Sequence, residues 1–292
     1  MLKFLVLLVL SQSLAFAGPR EEAQDILLRF KDETSLTKRL DLISKTFVGL
    51  PYGQGGPLGE GPDGRYDQDP LYRFDTFDCT TYVETIMALA LARDVAEFEV
   101  HLDKIRYENG EIDYLKRNHF TDLQWIPFNI ENGYMTEINS AVTKEIKIAE
   151  ALINFPNWLR KIKISEIKMP NASELERQER LEELHAQAEY YTSSMARVNY
   201  LEINMLVKKP QLLNKIPTGS IVNFVRPNWD LTDLIGTRQN ISHQGFIFKR
   251  NNVVYLRHAS TTGKVKEEPF LDYLKKFVNH PTMKGIHLMS LN

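Results

Sequence analysis

Asp75-Thr76-Phe77-Asp78-Cys79-Thr80-Thr81-Tyr82-Val83-Glu84-Thr85 holds the one cysteine of the chain, at the point where a turn gives way to an apolar helix. Val83, Ile86, Met87 and Ala90 recur at helical spacing, so a helix from Thr80 to about Arg93 buries one stripe and is anchored in a core. The first N–H groups of a helix have no partner within it. Together with the helix dipole they favour a thiolate at Cys79, which marks this residue as a candidate nucleophile.

Upstream of this helix, Gly49 to Asp69 is rich in Gly, Pro and Asp and reads as a loop that carries Tyr52 to the helix start. Before the loop, Ile26, Leu27, Phe30, Leu36, Leu40, Leu42, Ile43 and Phe47 fit two short helices between Glu21 and Val48. The extreme N-terminus has the pattern of a secretory leader: Met1-Leu2-Lys3, an apolar run from Phe4 to Leu10, and small residues Ala15 and Ala17 before a cut. A signal peptide over 1–17 is expected, followed by one domain over 18–292 in a periplasmic or secreted protein. No stable membrane insertion is expected once the leader is removed. A chain sent to an oxidising compartment with one cysteine can form no internal disulfide, which again points to a thiol with a chemical task.

Downstream, residues at about 139–189 carry long charged runs with helical periodicity, and Ser173-Glu174-Leu175-Glu176 is a capping-box start. This stretch reads as a charged helical insertion. The last third turns to strand signals. Ser220 to Val225, Gln244 to Phe248 and Val253 to Leu256 read as strands, the latter two joined through Arg250-Asn251-Asn252 as a hairpin. A short helix around Phe270 to Val278 and a strand from Gly285 to Met289 follow. Helices first and an antiparallel sheet afterwards make an α+β fold, with a helix-borne cysteine packed on the sheet as in papain-like hydrolases.

His243 and His258, two of seven histidines, flank that hairpin where the first strand begins and the second ends, which are neighbouring positions in an antiparallel pair. A thiol, a base beside it and a group that orients the base are what nucleophilic catalysis requires. No His-Glu-x-x-His run and no second cysteine provide a metal-site spacing, so neither a metal nor a cofactor is expected. The formal net charge of −2 gives no reason to expect a nucleic-acid partner.

Gly49-Leu50-Pro51-Tyr52-Gly53, Phe77-Asp78-Cys79, Ser242-His243-Gln244-Gly245-Phe246 and His258-Ala259-Ser260, in this order, resemble the NlpC-type superfamily of bacterial cell-wall cysteine hydrolases. The run from Asp75 to Thr85 is similar to its N-acetylmuramoyl-L-alanine amidase-like branch. The resemblance implies Cys79 as nucleophile, His243 as general base and acid, His258 as the group that orients His243, and Tyr52 as a hydroxyl facing the sulfur. It also implies substrate contacts from Asp78 and Thr80, although Asp78 equally fits a helix cap.

Thr80-Thr81 stands where the superfamily's endopeptidases usually carry Ser-Gly, and the segment between the two histidines is longer than in compact members. Both features favour an amidase that frees L-alanine peptides from muramic acid, acting on soluble muropeptides, those with 1,6-anhydro ends among them. A γ-D-glutamyl-diamino acid endopeptidase on the same site and a non-catalytic peptidoglycan-binding module are the alternatives.

Overall fold

Helices and sheet follow from two periodicities in the chain, and the computed structural model describes them for residues 18–53, 56 and 58–292. The expected signal peptide lies outside the described residues. Four helices come first: α1 (Pro19–Arg29), α2 (Leu36–Thr46), α3 (Cys79–Leu91) and α4 (Val95–Arg106). The short α5 (Ile126–Glu131) precedes the first strand, and α6 (Asn139–Val142), α7 (Phe155–Lys161), α9 (Ile203–Lys208), α10 (Thr232–Ile235), α11 (Phe270–Lys275) and the longer α8 (Glu174–Gln187) lie among the strands. The strands are β1 (Met135–Glu137), β2 (Lys147–Ile153), β3 (Ser194–Glu202), β4 (Ser220–Leu231), β5 (Thr237–Arg250), β6 (Val253–Ser260), β7 (Lys264–Pro269) and β8 (Gly285–Leu291).

One antiparallel sheet runs β2-β3-β8-β4-β5-β6-β7, with β1 also paired to β8. Its residues alternate between two cores, as a pleated strand with both faces covered requires. Ile221, Val225, Phe246, Phe248, Ala259 and Met289 pack with the N-terminal helices. Val222, Phe224, Ile247, Leu256 and Leu288 pack with α9 and α11 on the other face. The α+β architecture read from the sequence is present, with N-terminal helices against an antiparallel sheet.

Helix α3 is wrapped by protein, with every residue from Thr81 to Ala90 buried. Asp78 caps it: its carboxylate accepts from Thr81 N at 2.7 Å, and Thr81 Oγ1 accepts from Asp78 N at 3.0 Å. Arg257, fully buried on β6, donates to Asp41 on α2 at 2.8 Å and to Glu267 on β7 at 2.5 Å, and lies over the Phe248 ring. Such a paired, hydrogen-bonded buried charge fixes how α2 meets the sheet, whereas removing one partner would strand the other.

The expected helical insertion needs correction. Helix α8 starts where its capping box placed it, with Ser173 Oγ accepting from Glu176 N at 3.2 Å. The segment before it contains β2, which pairs residue for residue with β3 from Lys147↔Tyr200 to Ile153↔Ser194. Ala149, Ala151 and Ile153 face inward, while the charges that looked helical form ion pairs: Glu150 with Arg197 at 2.7 Å and Lys147 with Glu202 at 2.6 Å. The Ala and Glu of this strand favour helix locally, and cross-strand pairing overrides that preference.

Strand β7 is likewise absent from the sequence expectation, because Lys264-Val265-Lys266-Glu267-Glu268 has one apolar residue. Among the described residues no helix is long and apolar enough to cross a membrane.

Candidate active site

Cys79 opens α3 and meets the sheet where two strands part. The β5–β6 ladder runs from Arg250↔Val253 to Phe246↔Arg257 and stops there. Beyond it the backbone N–H of Gln244 is free to hydrogen-bond the Cys79 sulfur. Two residues before Gln244, Ser242 is an extra residue on β5, since Phe224 pairs with His243 and Val225 with Ile241. A bulge of this kind turns a strand and re-aims its side chains. The thiol thus arrives from a helix on one face, at a seam beside imidazoles that share the other face with Phe224.

The two imidazoles are in contact, with His243 Nε2 and His258 Nδ1 2.6 Å apart. They approach diagonally across the hairpin, and Gly245 makes room for them. A Cβ on Gly245 would stand 2.9 Å from His258 Cβ and 2.9 Å from the Arg257 carbonyl oxygen, closer than atoms pack without displacement. His258 Nε2 in turn lies 3.2 Å from Glu268 Oε1 on β7.

This chain of contacts sets the protons. Burial works to raise the Glu268 carboxyl, but hydrogen bonds from Lys266, Lys276 and His258 hold it down, to about 2, so it is ionised and can only accept. His258 must then donate from Nε2 and accept at Nδ1. His243 donates from Nε2, and its Nδ1 keeps a lone pair with no hydrogen bond among the described residues. Burial also lowers both rings: His258 falls to about 4, and His243 lies well below its ordinary value, with the neighbouring His258 and Lys266 adding to the effect. At neutral pH the pair is therefore uncharged and His243 Nδ1 is a base.

The thiol departs from its sequence expectation. Part of Cys79 is open to solvent, yet enough protein surrounds it that burial, reinforced by the Asp78 carboxylate, pushes it up to about 12. The N–H donors of Gln244 and Thr80 oppose this without reversing it. Thr80 Oγ1 lies 4.0 Å from the sulfur, and no hydrogen bond joins the sulfur to either imidazole in this geometry. The thiol rests neutral, and the helix start does not hold a standing thiolate.

Tyr52 reaches the same place because residues 49–53 are laced to their neighbours. Tyr52 N donates to Gly263 O at 2.9 Å, Gly53 N to Phe77 O at 2.9 Å, and Val265 N to Leu50 O at 2.8 Å. Burial raises the Tyr52 phenol, and its closeness to the Cys79 sulfur and the Asp78 carboxylate raises it further, so it stays a hydroxyl. Asp78 has the cap role, while also lining with Thr80 a cavity beside the helix start.

Two contributors escaped the sequence reading. Glu268 lies on the unrecognised strand β7, and Tyr273 on α11 packs edge-on to His258 at 5.3 Å and lies within electrostatic reach of Cys79. The signal available for Glu268 was its position one residue before Pro269, at the end of a short charged run after the His258 strand. Among the described residues no group of three or more His, Cys, Asp or Glu side chains is placed to hold a metal ion.

Comparison with known proteins bears on this geometry. A family model described as AmiA-like, N-acetylmuramoyl-L-alanine amidase-like, matches residues 42–283. The crystal structure of a Legionella pneumophila str. Philadelphia 1 protein, under family-model DUF1460, is 37% identical with a TM-score of 0.89, covering 93% of this chain and 94% of that one. An N-acetylmuramoyl-L-alanine amidase from Bacteroides uniformis ATCC 8492 is 22% identical with a TM-score of 0.62, covering 88% of this chain and 99% of that one. A Bacteroides fragilis structure described as a candidate xylanase is 24% identical with a TM-score of 0.60, covering 85% and 99%. At the last two identities the likeness is one of fold. No curated protein matches the chain.

Proposed function

This chain belongs to the N-acetylmuramoyl-L-alanine amidase-like family, and we propose that it is a cysteine-dependent amidase of the NlpC-type, papain-like superfamily that separates N-acetylmuramic acid from L-alanine in peptidoglycan fragments. The observation that carries the reading is the His243–His258–Glu268 chain, which leaves one imidazole nitrogen free at the seam where the Cys79 sulfur is seated.

Because the thiol rests protonated, attack and proton transfer go together. The sulfur bonds to the lactyl carbonyl carbon of the muramoyl group as its proton passes to His243 Nδ1. Negative charge develops on the carbonyl oxygen, where the backbone N–H of Cys79 and the hydroxyl of Tyr52 serve as donors. One such donor is commonly worth about 3 kcal/mol in the transition state. The imidazolium formed at His243 is stabilised through His258 by the Glu268 carboxylate. The carbon–nitrogen bond then breaks, His243 returns its proton to the departing L-alanine amine, and a muramoyl thioester remains on Cys79. A water molecule gives a proton to His243 and attacks the thioester, which releases the muramic acid carboxylate and restores the thiol.

Thr80 and Asp78 border the substrate path beside the sulfur. A leader over residues 1–17 would deliver the enzyme to the periplasm or the outside, where such fragments arise. The test is digestion of a disaccharide-peptide read by mass spectrometry. The amidase yields a sugar bearing no amino acid and a peptide with a free L-alanine amine. A sugar that keeps L-alanine and D-glutamate would overturn the reading.

A further inference from the structure

Beside the start of α3, on the side of Thr80, lies a cavity of about 180 Å³ lined by Arg106 and Arg117 as well as by Asp78 and Glu84. Arg106, with 2% of its surface exposed, lines it from the end of α4, and Arg117 lines it from the following loop. Arg106 spends Nε on Glu84 at 2.9 Å and Nη1 on the Leu71 carbonyl, but Nη2, fully buried, has no hydrogen-bond partner among the described residues. Arg117 spends Nη2 on the Leu58 carbonyl at 2.7 Å, and its buried Nε also makes no hydrogen bond. Asn118, which also lines the cavity, has a buried Oδ1 with no hydrogen-bond partner among the described residues.

Buried guanidinium N–H groups left open cost free energy unless something occupies them. The resident carboxylates do not complete the pairing. Glu84 is engaged by Arg106 Nε, Asp78 is fixed in the helix cap, and Asp67 sits 3.8 Å from Arg117 while accepting from Asp69 N. Glu60 approaches Arg117 Nε at 3.3 Å without a hydrogen bond, and burial raises its carboxyl to about 7, so it neutralises Arg117 only in part.

We infer that this cavity is a subsite for a carboxylate of the substrate's peptide, which Arg106 Nη2 and Arg117 Nε hold and which thereby fixes the direction in which the scissile amide crosses Cys79. The inference rests on the amidase reading for the identity of the substrate. In a muropeptide the lactyl carboxyl of muramic acid is tied up in the scissile amide, so the remaining ionised carboxyl groups are on the peptide. An anion subsite one residue from the nucleophile therefore receives the peptide side and leaves the sugar to the opposite side of the sulfur. A planar carboxylate matches guanidinium donors in geometry as well as charge.

The experiment uses Cys79→Ala protein and the product peptide L-alanyl-γ-D-glutamyl-diamino acid, with free carboxylates or with each converted in turn to carboxamide. Binding is measured by calorimetry, so the result does not depend on turnover. One carboxamide peptide should bind at least about tenfold more weakly than the free acid, as expected when a charge-assisted hydrogen bond becomes a neutral one. The near-isosteric Asn118→Asp, which sets an anion at the cavity wall, should weaken the free acid by a similar factor and leave that carboxamide nearly unchanged. Thermal denaturation checks that the variant is folded.

Equal affinity for all forms, or no binding of any, overturns the subsite. The amidase reading is judged apart from it, by whether wild-type protein releases an amino-acid-free sugar.

Discussion

The seam around Cys79 and the outer arm formed by β2, β3, α7 and α8 are built on opposite principles. The arm closes many of its polar groups locally and others against its neighbours, such as Glu183 with Arg65 at 3.0 Å and Asn154 N with Thr237 Oγ1 at 2.6 Å. Ser173 and Glu176 cap α8 reciprocally, charged residues pair across β2 and β3, and Ala151, Ile153, Phe155, Leu159, Leu181 and Leu184 form an apolar cluster joined by Tyr66 and Phe120 from outside the arm. The seam leaves groups open: a ladder that stops, a bulge at Ser242, a glycine where no Cβ fits, and an imidazole nitrogen without a partner. The arm is not without open groups, since the buried Arg177 Nε on α8 has no hydrogen-bond partner among the described residues, but it shows no break in strand pairing like that at the seam.

The largest effect belongs to the sulfur. Cys79→Ala should lower release of free peptide from a disaccharide-peptide by about 10⁴-fold or more with the melting temperature nearly unchanged. Release at the wild-type rate would remove the seam from the chemistry. Gly245→Ala comes next and should affect both properties, since its Cβ must displace the His258 side chain or the Arg257 carbonyl. Overpacking of this kind costs about 1 to 3 kcal/mol. A shift of the imidazole pair by about 1 Å should lower kcat about 100-fold. Stability and kcat measured on the same preparation would show whether the two losses occur together.

Glu268→Gln acts through His258, so Glu268 is a positioning residue. A neutral amide can donate as well as accept, so the proton arrangement that leaves His243 Nδ1 free is no longer enforced. We expect kcat to fall about tenfold with KM little changed, and Glu268→Asp to restore part of it. Equal falls in Gln and Asp variants, with matching loss of stability, would assign Glu268 a packing role only.

The pH profile is a smaller effect with a definite sign. A base whose pKa is lowered stays active as pH falls through the ordinary histidine range and is lost only further down. With His258 at about 4 and His243 well below its ordinary value, kcat/KM should change less than about twofold between pH 8 and pH 6, with its acid limb lower still. Because burial holds the thiol near 12, no alkaline limb from Cys79 should appear below about pH 10. An inflection near 6.5 would show that the imidazoles are more solvated in solution than in this structure.

Much of the seam was legible because its residues are chemically rare and their spacing local. One cysteine before a helical stripe, and two histidines at the ends of one hairpin, mark a site in one dimension. The Asn251-Asn252 turn, with both φ positive, supplies the register that brings those histidines together. Glu268, Arg106 and Arg117 were not legible, because their roles depend on which strand or helix lies beside them. A glutamate in Lys-Glu-Glu and an arginine at the end of an amphipathic helix look like solvated surface until burial is known. The arm was half legible: its capping box is a local signal, whereas β2 exists only through its pairing with β3. The standing thiolate was misjudged for the same reason, since helix-end donors can be read from sequence and burial cannot.

Ser173→Ala is the smallest perturbation and the sharpest test of the contrast. It removes the oxygen that accepts from Glu176 N at the start of α8. Loss of such a cap costs about 1 kcal/mol. That should lower the melting temperature by a few degrees, about 2 to 4 °C for a chain of this size. If the arm serves only to complete the fold, kcat, KM and the pH profile should all stay at wild-type values in this variant, because no polar contact of Ser173 leads to the seam. A change in kcat without a change in the Cys79→Ala background's peptide affinity would mean that the arm moves during turnover, and the division between a closed, stabilising region and an open, reactive one would have to be redrawn along β3, the strand through which the arm joins the rest of the sheet.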